Sequence, residues 1–506
     1  MSETTYREGT PTGEFQEVDA GAQAAAERTE SERLTRRSSP TAIIVALLLA
    51  AFAAILNETV LSVALPQLMT DFGVGATTIQ WLTTGFLLTM AIVIPTTGML
   101  MSRFTTRRLF IAALVLFLVG TALAAVAPSF GVMMIARVIQ AGGTAIILPL
   151  LMTMTLIVVP VQHRGTVMGL NAVVISVAPA LGPTLSGLIM GAWGWRWIFG
   201  VLLVVGLIAF VVGLLVLRTD GQTRRVPLDV ISVLLSVVAF GALVYGLSTL
   251  SALVASGDPV PLLALIVGLI GLALFVRRQR SLAATGSPLL DLRPFAIHNF
   301  CVSVLVVMSG MATMLGTVMV IPLFTQGVLG LSVVTTGLIL LPGGLIQGIA
   351  SPLFGRVYDR YGVRPVVIPG AVLLAGGQWL LATMSESTSV GALIAYHVVF
   401  CVGMALIMTA LMTHSLSSLP RELYSHGSAI LNTLQQLAGA FGTAILITGL
   451  TIGAGLSASA GASARLAQAD GTQWAFIIGG VIALAGLVLA FFVRPLAAQR
   501  EVIDAA

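Results

Sequence analysis

The chain has 506 residues, 57% hydrophobic and 9% charged, with a mean hydropathy of +1.03. Soluble domains carry about 25% charged residues, so this composition excludes a water-soluble enzyme. All 25 basic residues are arginine and they are dispersed along the chain, so the basic pI of 9.8 does not indicate a nucleic-acid partner, which requires a gathered basic face.

The first 40 residues hold 13 of the 45 charged positions. They read as a disordered cytoplasmic tail (1–40) with no cleavable signal peptide before the first span. A crossing needs about 20 apolar residues, and fourteen such runs follow. The first six begin near Thr41, Thr78, Leu109, Phe130, Gly165 and Trp197, two more near Asp229 and Pro261, and the last six near Ile297, Val333, Val363, Ser389, His426 and Gln473. This predicts an all-α membrane protein with a six-helix bundle over 41–217 and a linker over 218–296 that contains two additional transmembrane helices. A second six-helix bundle follows over 297–495, then a short cytoplasmic tail over 496–506. Asp229, opening the seventh run, reads as a helix cap favoured by the helix dipole. Cys301 and Cys401 both fall in apolar runs, so neither a disulfide framework nor a metal site is expected.

The positive-inside rule tests the span count, because a missed or invented span would invert every later loop. With the tail inside, 22 of the 25 arginines fall on the cytoplasmic side, Arg137 lies within a span, and only Arg196 and Arg465 lie outside. The outer loops carry Asp71, Asp258, Glu386 and Asp470. Fourteen spans place both termini in the cytoplasm. A repeat is also present: GMLMSRFTTRR from Gly98 to Arg108 follows the second span, and GRVYDRYGVR from Gly355 to Arg364 follows the tenth. Two six-span halves separated by two extra spans fit this interval, and parallel repeats of this kind mark a transporter whose substrate site lies between the halves.

At these residues the chain resembles the major facilitator superfamily, in its fourteen-span drug:proton antiporter branch of EmrB/QacA and lincomycin-resistance type. LNETVLSVALP (Leu56 to Pro66) is similar to the branch's first-helix motif, and Gln80, Trp81 and Leu82 follow in the second span. Arg137, Gln140 and Gly143 match its Arg-containing motif, and APALGPTLSG (Ala178 to Gly187) resembles its antiporter motif, with Gly182, Pro183 and Gly187 permitting close approach and bending. The resemblance implies that Gly98, Arg103, Arg107, Arg108, Gly355, Asp359, Arg360, Gly362 and Arg364 belong to turns that latch the rocking helices. The first turn departs from the pattern, with Ser102 where most members have Asp and Thr105 where they have Gly; the second keeps Asp359 and Gly362. The first-helix motif carries Asn57 where Asp is usual, with Glu58 one place later, and one residue is about 100° of helix rotation.

Glu58 is the carboxylate that falls well inside a span, where an ionisable group costs about 2.5 to 3.5 kcal/mol on insertion scales and marks a pathway or a partner. Counted from Pro66 and Phe130, Glu58 and Arg137 lie at equal depth, roughly 10 to 12 Å below the outer face. A glutamate that gains and loses contact with an arginine as the halves rock binds and releases a proton, and His397 is a second titratable candidate. Asn57, Gln80, Gln140, Asn171, Gln326, Gln347, Asn432 and Gln436 are the polar candidates to line a cavity.

The chain contains no H-E-x-x-H, no G-x-S-x-G and, lacking lysine, no Walker A sequence, so neither hydrolysis nor ATP-driven pumping is expected, and no cofactor. The expected function is a proton-coupled exporter of lipophilic neutral or monocationic small molecules, working as a monomer in the bacterial cytoplasmic membrane. Its partners are substrate, protons and the lipid bilayer. The alternative is an exporter of an endogenous lipid, amino acid or metabolite.

Overall fold

The computed structural model describes residues 40–217, 229–250, 253, 257–283 and 288–496. The tails beyond these limits, and Arg218, Arg224 and Arg225, lie outside the described residues. The first half comprises α1 (Pro40–Phe72), α2 (Ala76–Val93), α3 (Thr97–Arg103, joined to α2 by a 3-10 turn), α4 (Thr106–Ala125), α5 (Phe130–Val158), α6 (Arg164–Trp193) and α7 (Arg196–Val216). Then come α8 (Val230–Ser248) and α9 (Val260–Ala283). The second half comprises α10 (His298–Gly327), α11 (Val333–Tyr361), α12 (Arg364–Ala382), α13 (Val390–Ser417), α14 (Tyr424–Ser459) and α15 (Ala464–Ala490). Thirteen segments among the described residues are long and apolar enough to cross a membrane, α2 and α3 together forming one of them. The 30-residue α6 packs among them, so the candidate spans number thirteen to fourteen. No strand occurs among the described residues.

The helix contacts reproduce the sequence repeat. In the first half α1 packs on α5, α6 and α7, α4 on α5 and α7, and α2 on α5. In the second, α10 packs on α13, α14 and α15, α12 on α13 and α15, and α11 on α13. Each pair in one set has its counterpart in the other. Without a hydrophobic difference between lipid and protein, close backbone approach holds such helices together. A Cβ at Gly143 of α5 would lie 2.4 Å from the Ala113 carbonyl oxygen of α4, and one at Gly403 of α13 would lie 2.3 Å from the Leu374 nitrogen of α12. Glycine at both places lets the paired helices touch along their backbones.

Two boundaries differ from the sequence reading. α1 continues past Pro66 to Phe72, so Glu58 lies fourteen residues, not eight, from the helix end. α15 begins at Ala464 rather than near Gln473. Its first turns are polar, with Asp470 accepting from Ser457 and Arg465 lying 3.9 Å from Glu386, so the helix precedes the apolar run by about two turns. A helix end is fixed here by the Ser463 hydroxyl, which accepts from the Leu466 amide.

The two intervening helices pack on each other, with α8 also against α2 and α14. Asp229 is the N-cap residue of α8, but its carboxylate is turned chiefly to α9: it takes two hydrogen bonds from Arg278, both 2.7 Å, and one from the Ser232 hydroxyl. These bonds hold its carboxyl down to about 2. Gln279 continues the network, donating to Ser232 and accepting from the Leu290 amide in the segment that leads to α10. The next amide, Asp291, donates to His426 of α14. Asp291 is itself held below the ordinary carboxylate range: burial opposes this, and the hydrogen bonds from Arg293 more than offset it.

Candidate functional site: a buried arginine and the closure between the halves

Arg137 is wholly buried on α5, a position tolerable for a guanidinium only with acceptors around it. Its Nη1 donates to the Asn57 carbonyl (3.3 Å), the Asn57 Oδ1 (3.2 Å) and the Gln140 Oε1 (3.1 Å), while Nε donates to the Leu82 carbonyl (3.3 Å). Its carbon Cζ lies 4.0 Å from the Phe86 ring centroid, within cation–π range. Gln140 in turn donates to Thr121 of α4. Three helices, α1, α2 and α5, thus meet at one side chain, and Gln140 ties it to α4.

In this structure Glu58, expected to gain and lose contact with Arg137, does not touch it. No oxygen of Glu58 lies within 4.0 Å of the guanidinium, and the neighbouring Asn57 takes the contact. The 100° of rotation between consecutive helix positions turns Asn57 toward Arg137 and leaves Glu58 half-buried beside it. The two charges still act on each other. The Arg137 Nη2 and Asn57 Nδ2 groups are buried and unbonded among the described residues, so donor capacity remains at this point.

The other predicted cavity residues separate into distinct places. Gln140 belongs to the Arg137 cluster. Asn171 donates to Thr155 and Met168 within the first half, and Asn432 donates to the Ser428 carbonyl and reaches Met152 Sδ of the first half at 3.2 Å. Gln347 is buried on α11 and Gln436 half-buried on α14, whereas Gln326 is exposed near the end of α10. The side chain of Gln80 lies outside the described residues, as does that of Pro183. His397 is packed in the α11–α13 crossing, where a Cβ on Gly343 would lie 2.5 Å from its Nδ1, and its Nε2 is 3.5 Å from Cys401 Sγ.

The predicted latch residues also divide. Asp359, at the end of α11, accepts from the Gly165 and Thr166 amides and from the Thr166 hydroxyl, each at 2.8 Å. A carboxylate thereby sits on the N-terminus of α6, where free amides and the helix dipole favour an anion. Alongside it, a Cβ on Gly355 would fall 2.1 Å from the Gly165 carbonyl, so the halves touch backbone to backbone. Gly362 closes α11 with φ +82°, and Arg364 donates to the Val493 carbonyl. In the first turn Gly98 packs against His426, and among the described residues Ser102 bonds only back to the Gly98 carbonyl in its own helix. Arg107, Arg108 and Arg360 are exposed, as is Arg103, which lies over Phe104. Gly182 packs on Thr59 of α1, whereas Gly187 faces open space.

Sequence reasoning did not find the rest of the closure. Thr153 shares a 2.7 Å hydrogen bond with Ser428, and Ser428 also donates to the Pro149 carbonyl. Arg164 donates to the Tyr424 hydroxyl. These contacts, with Asp359 and Asn432, join the halves toward the arginine-rich end, and Arg137 lies toward the other end of α5. None has a local signature, because each pairs residues about 190 to 280 positions apart.

A membrane protein of two repeated helical halves, meeting at one end and enclosing a buried charge, is a transporter rather than an enzyme. Residues 47–443 match the sequence profile of the Major Facilitator Superfamily, and the chain belongs to that family. It is 39% identical to the MFS-type transporter YcnB of Bacillus subtilis over 89% of this chain and 95% of the relative. It is 38% identical to the lincomycin resistance protein LmrB of the same organism over 89% and 95%. In fold it is similar to the proton:xylose symporter XylE, with a TM-score of 0.63, 17% identity, and coverage of 90% of this chain and 96% of that one.

Proposed function

We propose that this transporter is a proton-coupled antiporter that exports lipophilic neutral or monocationic small molecules by alternating access. In this reading it has fourteen crossings and both termini in the cytoplasm. The observation that carries the proposal is the Arg137 cluster, in which an unspent guanidinium donor lies beside a carboxylate that is not yet bound to it. When the halves are closed at the arginine-rich end, Asn57 holds Arg137 and Glu58 is free to carry a proton. Reopening at that end displaces Glu58 toward the guanidinium, and the charge-assisted contact favours its ionised form and releases the proton inward. A proton moving inward through 100 mV supplies about 2.3 kcal/mol.

A relative named for lincomycin resistance makes a drug-like cargo the natural first choice. The test is efflux into everted vesicles of a lipophilic monocationic dye, beside a panel of amino acids and lipids, with and without an imposed pH gradient. The proposal expects gradient-dependent dye uptake that a protonophore abolishes. Gradient-independent uptake, or movement of the native metabolites alone, contradicts it.

A further inference from the structure

We propose that the outer face of α9 is a binding site for a phospholipid with an anionic headgroup, seated with an acyl chain along Leu269, Leu272, Ala273 and Val276 and its phosphate between Arg277 and Arg280. These six residues line one groove of about 480 Å³. They follow the three- and four-residue steps of a single helical stripe, which ends in the two arginines at the arginine-rich end of the protein. α9 is the least enclosed of the candidate spans, with 22% of its apolar window buried. Leu262, Leu263, Ile266, Val267, Leu269 and Ile270 are all exposed along it.

The run Arg277-Arg278-Gln279-Arg280 divides by direction. Arg278 and Gln279 turn inward to Asp229, Ser232 and the Leu290 amide. Arg277 and Arg280 are both exposed, and neither has a hydrogen bond or ion pair with a described residue. Two guanidinium groups one helical turn apart, at the head of an apolar groove, provide paired donors for phosphate oxygens. A basic pocket at the end of a membrane helix is the arrangement that retains acidic headgroups against zwitterionic ones. A second copy of the chain would need an acidic stripe opposite these arginines; the exposed acids among the described residues, Asp71 in the last turn of α1, Glu386 before α13 and Glu422 before α14, stand singly and form none.

The inference is tested by native mass spectrometry of the full chain released from mixed micelles containing phosphatidylglycerol and phosphatidylcholine with identical acyl chains. Wild type is expected to retain phosphatidylglycerol on the order of tenfold more than phosphatidylcholine. The preference should fall to near parity in Arg277→Gln/Arg280→Gln. Ala273→Trp, which fills the groove and keeps both charges, should lower phosphatidylglycerol retention as well. Unchanged chromatographic elution and thermal unfolding show that each variant is folded. Free glycerol phosphate, which lacks the acyl chain, should not compete. The proposal is overturned if wild type shows no preference, if the double variant keeps it, or if the spectrum shows a dimer that the variants abolish.

Discussion

At the scale of single residues, the central fact is a helical phase. Asn57 and Glu58 are adjacent in sequence, and a shift of one position decides which of them reaches Arg137. The sequence displayed the departure from the family pattern, yet spacing could not show which neighbour faced the guanidinium, because that depends on the rotation of α1 against α5. Substituting Asn57→Asp puts a carboxylate where the Asn57 Oδ1 now accepts, 3.2 Å from Arg137. In a Glu58→Gln background this second change should restore part of proton-driven transport, measured as gradient-dependent uptake; no restoration would mean that the position facing Arg137 cannot carry the proton. Arg137→Lys should lower transport at least tenfold, because an ammonium lacks the planar fork that serves α1, α2 and α5 together. Its transport relative to wild type in proteoliposomes, at equal protein incorporation, checks this. His397 illustrates the opposite lesson. A lone histidine in an apolar run was legible, but its enclosure between Gly343 and Cys401 was not, since those neighbours come from packing.

At the scale of elements, the helices were largely legible because lipid imposes a long apolar run on each crossing and arginine marks the ends. The polar start of α15 and the extension of α1 beyond Pro66 escaped because neither changes the hydropathy pattern that defines a span. The partner of Asp359 escaped for another reason: the acid was visible in the repeat, but the amides it binds begin a helix 193 to 194 residues away. Asp359→Asn removes the charge that favours the α6 N-terminus and weakens its hydrogen bonds, a loss of about 1 to 3 kcal/mol. Spin labels at the arginine-rich ends of α6 and α11 should therefore report a larger separated population in the variant than in wild type. Equal distance distributions would show that the carboxylate does not hold the closure.

The α8–α9 pair provides a pH-dependent test. Because Asp229 titrates at about 2, below the ordinary carboxylate value near 3.9, its bonds to Arg278 contribute fully above about pH 4 and are lost as pH falls toward 2. Trp81 of α2 stacks on Tyr245 of α8, with ring centroids 5.9 Å apart, and reports whether α8 remains seated. In a protein retaining Trp81 as its single tryptophan, the emission should change between pH 4 and 2. The same change should be absent from Asp229→Asn, in which no carboxylate titrates at that site.

At the scale of the whole molecule, the repeat reaches from a turn motif to the complete set of helix pairings, while the closure between the halves is unequal. On one side Asp359 grips the start of α6; on the other Ser102 offers no such grip, and Gly98 instead receives His426, which the segment after α9 also touches. The two intervening helices are therefore attached to the weaker side of the closure through Gln279, Leu290 and Asp291. Coupling in this transporter turns on whether Glu58 transfers the driving proton. The most direct measurement is proton release and substrate movement recorded together in proteoliposomes, for wild type and Glu58→Gln matched for incorporation. Substrate movement in Glu58→Gln should no longer respond to a pH gradient and should carry no accompanying proton flux, although substrate still binds. Proton-coupled movement at the wild-type rate in that variant would contradict it.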